Sequence, residues 1–219
     1  MGEPDIMVQL FIHLYIAWFS AMTIPTQCKM PDLSGLDSPL FNRLFVKLIV
    51  GERNISFKAS LYRRNFIRLI DKALREYNEA RNIVLAQIAE ANRPVYIYRF
   101  TDHIETCINA VSRLFALLDR ISSEKESPQF PRPLRRLLQT KNRSITTIRN
   151  SVEHIDEHIQ KGEISPGNPI MLTLNEEADG IVVSKSEIKF EELAMVLKNM
   201  NKIAAYLLEL KTDSTKNHS

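Results

Sequence analysis

The sequence predicts a mainly α-helical bundle with long antiparallel helices, a small β-hairpin near the C-terminus and a final helix. Three observations predict it. Apolar residues of helical period run from Phe57 to about Asn92 and again from Tyr96 to Ile121. A third such pattern follows the proline-rich loop 122–133 and includes the stretch Ile148–Ile159. Only after Lys161 does the pattern change to short β-rich runs. With 219 residues, 44% hydrophobic and 25% charged, the chain is long enough for one substantial core, and residues 1–219 are read as a single domain.

Residues 1–38 read as an apolar helix and an irregular connection. Ile6–Ile24 is almost entirely apolar and long enough to span a bilayer, although Gln9 and His13 interrupt it. Glu3 and Asp5 stand where a signal peptide would carry basic residues. The favoured expectation is a helix covered by protein, from the same subunit or its mate, with a membrane anchor as the alternative. Pro25, Pro31, Gly35 and Pro39 make the connection irregular, and Pro39 suits the first turn of a short helix to about Val50.

Residues 39–160 form the helical body. Leu61, Ile67, Ile70, Leu74, Tyr77, Val84 and Ile88 mark the buried side of the first long helix. Arg63, Arg64, Arg68, Arg75 and Arg81 are expected to be mostly solvated, and Pro94 to stop the helix. Its partner contributes Ile104, Ile108, Val111, Leu114, Leu117 and Leu118 to the core. His103 and Glu105 are further cleft candidates, but nothing in the spacing singles them out. A helix over 134–160 then carries the stripe Ile145, Ile148, Val152, Ile155 and Ile159. Residues 161–190 read as a hairpin of Pro169–Leu174 and Gly180–Phe190 around Asn175–Asp179, with Asp179-Gly180 as the turn signal. A helix over 191–210 packs through Leu193, Val196, Leu197, Met200, Ile203, Ala204 and Leu207, and 211–219 is a polar tail.

The chemistry concentrates in the helix over 134–160. Arg149, Asn150 and His154 form the pattern R-N-x-x-x-H. At about 100° per residue, Asn150, His154 and Glu157 lie away from the apolar stripe, while Arg149, Glu153 and Asp156 flank it. Asn150 and His154 stand one turn apart and can touch. Arg149 is about 140° around the helix from His154, so it must curl across or be complemented by a second copy of the motif. Upstream, residues 127–149 hold Arg132, Arg135, Arg136, Lys141 and Arg143 before Arg149, and no Asp or Glu. The net charge is only +3, so this basicity is local and suits transient contact with a polyanionic substrate better than coating of nucleic acid.

An R-N-x-x-x-H pattern late in an all-helical chain, followed here by His154-Ile-Asp-Glu-His158-Ile, resembles the HEPN family. The resemblance covers roughly residues 57–160. It implies a HEPN-like helical bundle that forms a homodimer with two motifs facing a shared cleft. It also implies a metal-independent endoribonuclease of the toxin–antitoxin or antiphage-defence kind, with an antitoxin or inhibitory protein as a further partner. On that resemblance Arg149 neutralises the scissile phosphate, Asn150 orients it and His154 transfers a proton. Arg132, Arg135, Arg136, Lys141 and Arg143 contact the RNA substrate, and Glu153, Glu157 and His158 play supporting parts. The alternative is a catalytically silent helical dimer that binds a protein partner or nucleotide.

The chemistry is consistent in itself. Attack of an RNA 2′-hydroxyl on its own phosphate needs a base of near-neutral pKa and charge stabilisation, which an imidazole and a guanidinium supply. No metal or other cofactor is expected. A rival reading of His154, Glu157 and His158 as an H-x-x-E-H zinc site needs a third ligand, for which Glu191 and Glu192 are the candidates. No Gly-rich phosphate loop is present, which argues against nucleotide hydrolysis. The two cysteines, Cys28 and Cys107, lack the spacing of a disulfide framework or zinc ribbon, and a cytoplasmic location is expected. The sequons at Asn54 and Asn142 are then incidental.

Overall fold

A computed structural model describes residues 24–36, 40–50, 56–90, 95–124, 130, 132–162, 172–183 and 186–209. The expected helix over 6–24 lies outside these residues except for Ile24, as does the tail 211–219. The fold is mainly α, with α1 (Leu40–Val50), α2 (Phe57–Ala89), α3 (Val95–Ser123), α4 (Arg132–Glu153), α5 (Ile155–Gln160) and α6 (Phe190–Glu209). Strands β1 (Leu172–Leu174), β2 (Gly180–Val183) and β3 (Ser186–Lys189) form one antiparallel sheet. Among the described residues no helix is long and apolar enough to cross a membrane.

Helices α2 and α3 are the principal packed pair, and their seam is the deepest part of the core. Phe66, Ile70, Ala73 and Tyr77 from α2 are fully buried, as are Phe100, Ile104, Cys107 and Val111 from α3. Ser56 starts α2, its hydroxyl accepting from the Ala59 amide at 3.2 Å, and Glu90 closes it with a backbone bond to Ala86. The stripe on α2 begins differently from expectation. Arg63 is only 5% exposed because it falls in line with Ile67, Ile70 and Leu74, whereas Leu61 points off that line and is 39% exposed. Phe57, one turn before Leu61, is exposed as well.

The irregular segment 24–36 is tied along α2. The Tyr77 hydroxyl donates to the Pro31 carbonyl at 3.1 Å, Arg81 Nε to Met30 at 3.2 Å, and Gln87 Nε2 to Ile24 at 2.9 Å. Arg81 also pairs with Asp32, so it is not simply solvated. These side chains satisfy carbonyls that no regular structure satisfies. Cys28 and Cys107 are buried free thiols, and burial pushes the Cys28 pKa up to about 12.

The sheet packs on α4 and α6 and has three strands where the sequence suggested a two-stranded hairpin. The run Gly180–Phe190 reverses direction between Val183 and Ser186, which pair with each other. Ser184 and Lys185 carry none of the Gly, Asn or Asp signals by which a turn is recognised. Leu172, Ile181, Val183 and Ile188 are buried beneath it. The β1–β2 turn is also built otherwise than expected. Its positive φ, 53°, falls on buried Ala178, whose carbonyl accepts from the Lys29 amide, and not on Gly180.

Gly180 is required for closeness: a Cβ there would lie 2.6 Å from the Ile188 carbonyl oxygen and 2.9 Å from Lys189 Cα. Asn175 organises the turn. Its Oδ1 accepts from the Asp179 and Gly180 amides at 2.9 and 3.0 Å, and its Nδ2 donates to Asp179 and Glu187. Hydrogen bonds from Lys189 and then Asn175 hold the Asp179 carboxyl below the usual carboxylate range. Asn175→Ala strands two backbone donors and is expected to lower unfolding free energy by about 2–3 kcal/mol, read from urea denaturation midpoints. Gly180→Ala is expected to destabilise at least as much, because the clash is with backbone.

Candidate functional site

Helix α4 begins at Arg132 with Pro133 in its first turn, where a missing N–H costs nothing. Before it, buried Phe130 packs edge-on against Tyr206 of α6, with ring centroids 6.1 Å apart. The helix is pinned by a narrow stripe: Leu138, Ile145 and Ile148 are buried, with Leu134, Leu137 and Val152 half-buried beside them. The expected continuation of that stripe does not exist. Ile155 and Ile159 are 41% and 58% exposed, because the helix is interrupted at His154. The expected single helix over 134–160 is therefore two, α4 and α5, with His154 between them at φ −103° and ψ 33°.

The break changes what the motif can reach. Arg149 turns to its neighbours and not across to His154: its Nη1 donates to Asn150 Oδ1 at 3.1 Å, and it also pairs with Glu153 one turn on. Those two contacts place a guanidinium beside an amide on the outer side of α4. The His154 amide donates to the Asn150 carbonyl at 3.0 Å, but the two side chains are not hydrogen-bonded to each other. Instead His154 Nδ1 lies 3.3 Å from Glu157 Oε1, and Glu157 is also paired with Lys161. The His154 side chain is 57% exposed, so its other ring nitrogen is open to an incoming group. His158 is half-buried.

The cations upstream are distributed unevenly. Arg136 and Arg143 are exposed, whereas Lys141 forms an ion pair with Glu192 of α6. The side chains of Arg132 and Arg135 lie outside the described residues. Between α4 and α6 runs an open groove of about 1020 Å³, bordered by Pro133, Arg136, Leu137, Thr140, Lys141 and Met195. The sequence reading missed Met195 and Tyr206. The available signal was that both fall on one line of α6, about 100° around the helix from Val196, Met200 and Ile203.

The zinc reading finds no support in the arrangement. The ligand atoms of His154, Glu157 and His158 are not gathered into one cluster; the triplet brought within 4.8 Å among the described residues is Glu177, Asp179 and Glu187. The third-ligand candidate Glu192 is engaged by Lys141, 13 residues and so roughly 20 Å along α4 from His154. The acidic triplet itself is held by Asn175 and Lys189.

His103 and Glu105 of α3 are placed apart from this helix face. His103 Nδ1 lies 2.7 Å from Glu76 Oε2, joining α3 to α2. The Glu105 carboxyl is raised above its ordinary value, chiefly by burial and secondarily by the neighbouring Asp102 charge. An acid whose folded pKa is raised stabilises most below its unfolded value, and that contribution is lost as pH rises through the folded one. Glu105→Gln, which removes the buried charge, is therefore expected to raise the melting temperature relative to the wild type at about pH 8. The gap is expected to close by about pH 4. Parallel thermal melts at the two pH values measure it.

No family model matches the chain, and comparison with curated proteins and with solved structures yields no match either, so the functional reading rests on α4 and its surroundings.

Proposed function

We propose that the protein is a metal-independent endoribonuclease of HEPN type, acting as a two-fold homodimer in which the Arg149, Asn150 and His154 groups of two copies share one cleft. The observation that carries this reading is the linked pair Arg149–Asn150 next to an exposed imidazole, on a helix face that the protomer's own core does not use. An RNA 2′-oxygen attacks the adjacent phosphorus, the bond to the 5′-oxygen breaks, and a 2′,3′-cyclic phosphate and a 5′-hydroxyl result. One imidazole accepts the 2′-hydroxyl proton, or one delivers a proton to the departing 5′-oxygen; a pair of His154 side chains across a dimer supplies both. Arg149, turned toward Asn150, stabilises charge on the non-bridging oxygens.

The dimer has its own support. Ile155 and Ile159 are exposed directly beside the motif, a placement that a second copy of α5 would cover. A second reading, the catalytically silent helical dimer that binds a protein partner, draws on a different observation. Arg149 is already satisfied by Glu153 and His154 by Glu157 within one protomer.

Cleavage assays separate the two. His154→Ala and Arg149→Ala are each expected to lose about two orders of magnitude or more in RNA cleavage while keeping the wild-type melting temperature. Cleavage is expected to persist in EDTA, to leave cyclic phosphate ends and to spare DNA. Growth is expected to slow on expression of the wild type and not of the variants. Full activity in His154→Ala sinks the ribonuclease reading.

The dimer is tested apart from the chemistry. Ile155→Asp with Ile159→Asp is expected to shift the protein to a monomer in sedimentation, with folding unchanged because both side chains are already exposed, and to lower cleavage with it. A wild type that is monomeric at all concentrations removes the shared cleft.

A further inference from the structure

The outward face of α4 is a continuous track. Arg136, Thr140, Arg143, Thr147 and Asn150 are all exposed and lie within about 40° of one direction around the helix, and the same direction leads to exposed His154 just past the break. The Thr140 and Thr147 hydroxyls donate to the carbonyls of Leu137 and Arg143, which leaves the two arginines as the strong donors on this face. No acidic residue occurs between 127 and 149 to oppose them.

At its N-terminal end the track opens into the groove between α4 and α6. Its wall is apolar at Pro133, Leu137 and Met195. On α6, Lys198, Lys202 and Tyr206 follow Met195 on the same exposed side, and Tyr206 is 39% exposed where it meets Phe130. The acid at this edge, Glu192, is occupied by Lys141. Cations along a line, interleaved with apolar and aromatic surfaces, match a polymer with regularly spaced phosphates and exposed base faces. A single nucleic-acid strand has both, whereas a duplex hides its base faces in the stack.

We infer that this track and groove bind single-stranded RNA, with Arg136 and Arg143 on successive phosphates, bases stacked against Tyr206 and seated on Met195 and Leu137, and the strand directed along α4 toward His154. The direction of the strand rests on the ribonuclease reading of His154; the binding surface does not. The groove, at about 1020 Å³, exceeds what one base requires and has room for more than one nucleotide.

Fluorescence anisotropy of the full chain with a fluorescein-labelled 12-nucleotide oligouridylate tests the inference. His154→Ala serves as the background so that the probe survives. The strand is expected to bind, and an RNA duplex of equal length to bind about tenfold more weakly. Arg136→Ala with Arg143→Ala is expected to weaken binding about tenfold or more and to reduce the slope of log affinity against log salt by about 1.4, the loss of two phosphate contacts on a single strand. Tyr206→Ala is expected to weaken binding about tenfold with the salt slope unchanged, because it removes stacking and no charge.

Absence of binding to the 12-mer, equal affinity for the duplex, or a double-arginine variant with unaltered affinity and slope overturns the track. Cleavage lost in His154→Ala with those same results leaves the ribonuclease standing without it. Strand binding that depends on Arg136, Arg143 and Tyr206 in a wild type that does not cleave keeps the track and removes the nuclease.

Discussion

The apolar seam between α2 and α3 is the constraint from which the other placements follow. Two helices of 33 and 29 residues lie against each other over most of their length, and each then offers a further side to something else. Helices α1 and α6 pack on α2, and α4 packs on α3. The irregular segment 24–36 lies along α2 because Tyr77, Arg81 and Gln87 supply donors that its carbonyls would otherwise take from water. The same segment reaches the β1–β2 turn through the backbone bond from Lys29 to Ala178, so one end of the sheet is tied to α2 through it.

Helix α4 is held differently, and its function follows from that difference. It meets the body through a few fully buried apolar side chains on one side, from Leu138 to Ile148, and leaves the face of Arg136, Thr140, Arg143, Thr147 and Asn150 to solvent. A helix fastened so narrowly can carry cations on its outer side without desolvating them. Beside the part-buried pair of Lys141 with Glu192, which ties α4 to α6, the ion pairs nearby are one-turn pairs on the surface, Arg149 with Glu153 and Glu157 with Lys161. In exposed settings such pairs contribute little to stability, so a phosphate can compete for the cations.

Much of this was legible in the residues, and the exceptions have physical causes. The long helices, the stripe on α6 and the position of Arg149, Asn150 and His154 outside the core follow from periodicity, which reports burial directly. Arg63 was misplaced because composition argued for solvent while its phase on the helix argued for the seam, and phase prevailed. The third strand escaped notice because Ser184-Lys185 lacks the Gly, Asn or Asp that marks a two-residue hairpin turn. The groove could not be read at all: it depends on the antiparallel approach of α4 and α6, residues some fifty positions apart, and periodicity within one segment carries no information about its neighbour. The interruption at His154 was hidden for a related reason, since Ile155 and Ile159 keep the helical spacing even though no helix among the described residues receives them.

That interruption gives His154 an unusual mechanical status. Asn150 and Arg149 inherit their bearings from a helix clamped at Ile145 and Ile148, but the imidazole stands on a single residue outside regular structure, with only the six-residue α5 beyond it. Helical hydrogen bonds from the His154 amide to Asn150 and from the His158 amide to the His154 carbonyl still cross that residue, so the departure is a bend and not a free joint. The bend sets where the ring stands relative to the guanidinium, so the spacing between the two groups is fixed by the backbone of one residue as much as by the helix before it. Substitutions in 155–160 that alter the bend would reset that spacing, and at Glu157, 3.3 Å from the imidazole, they would also remove a direct contact.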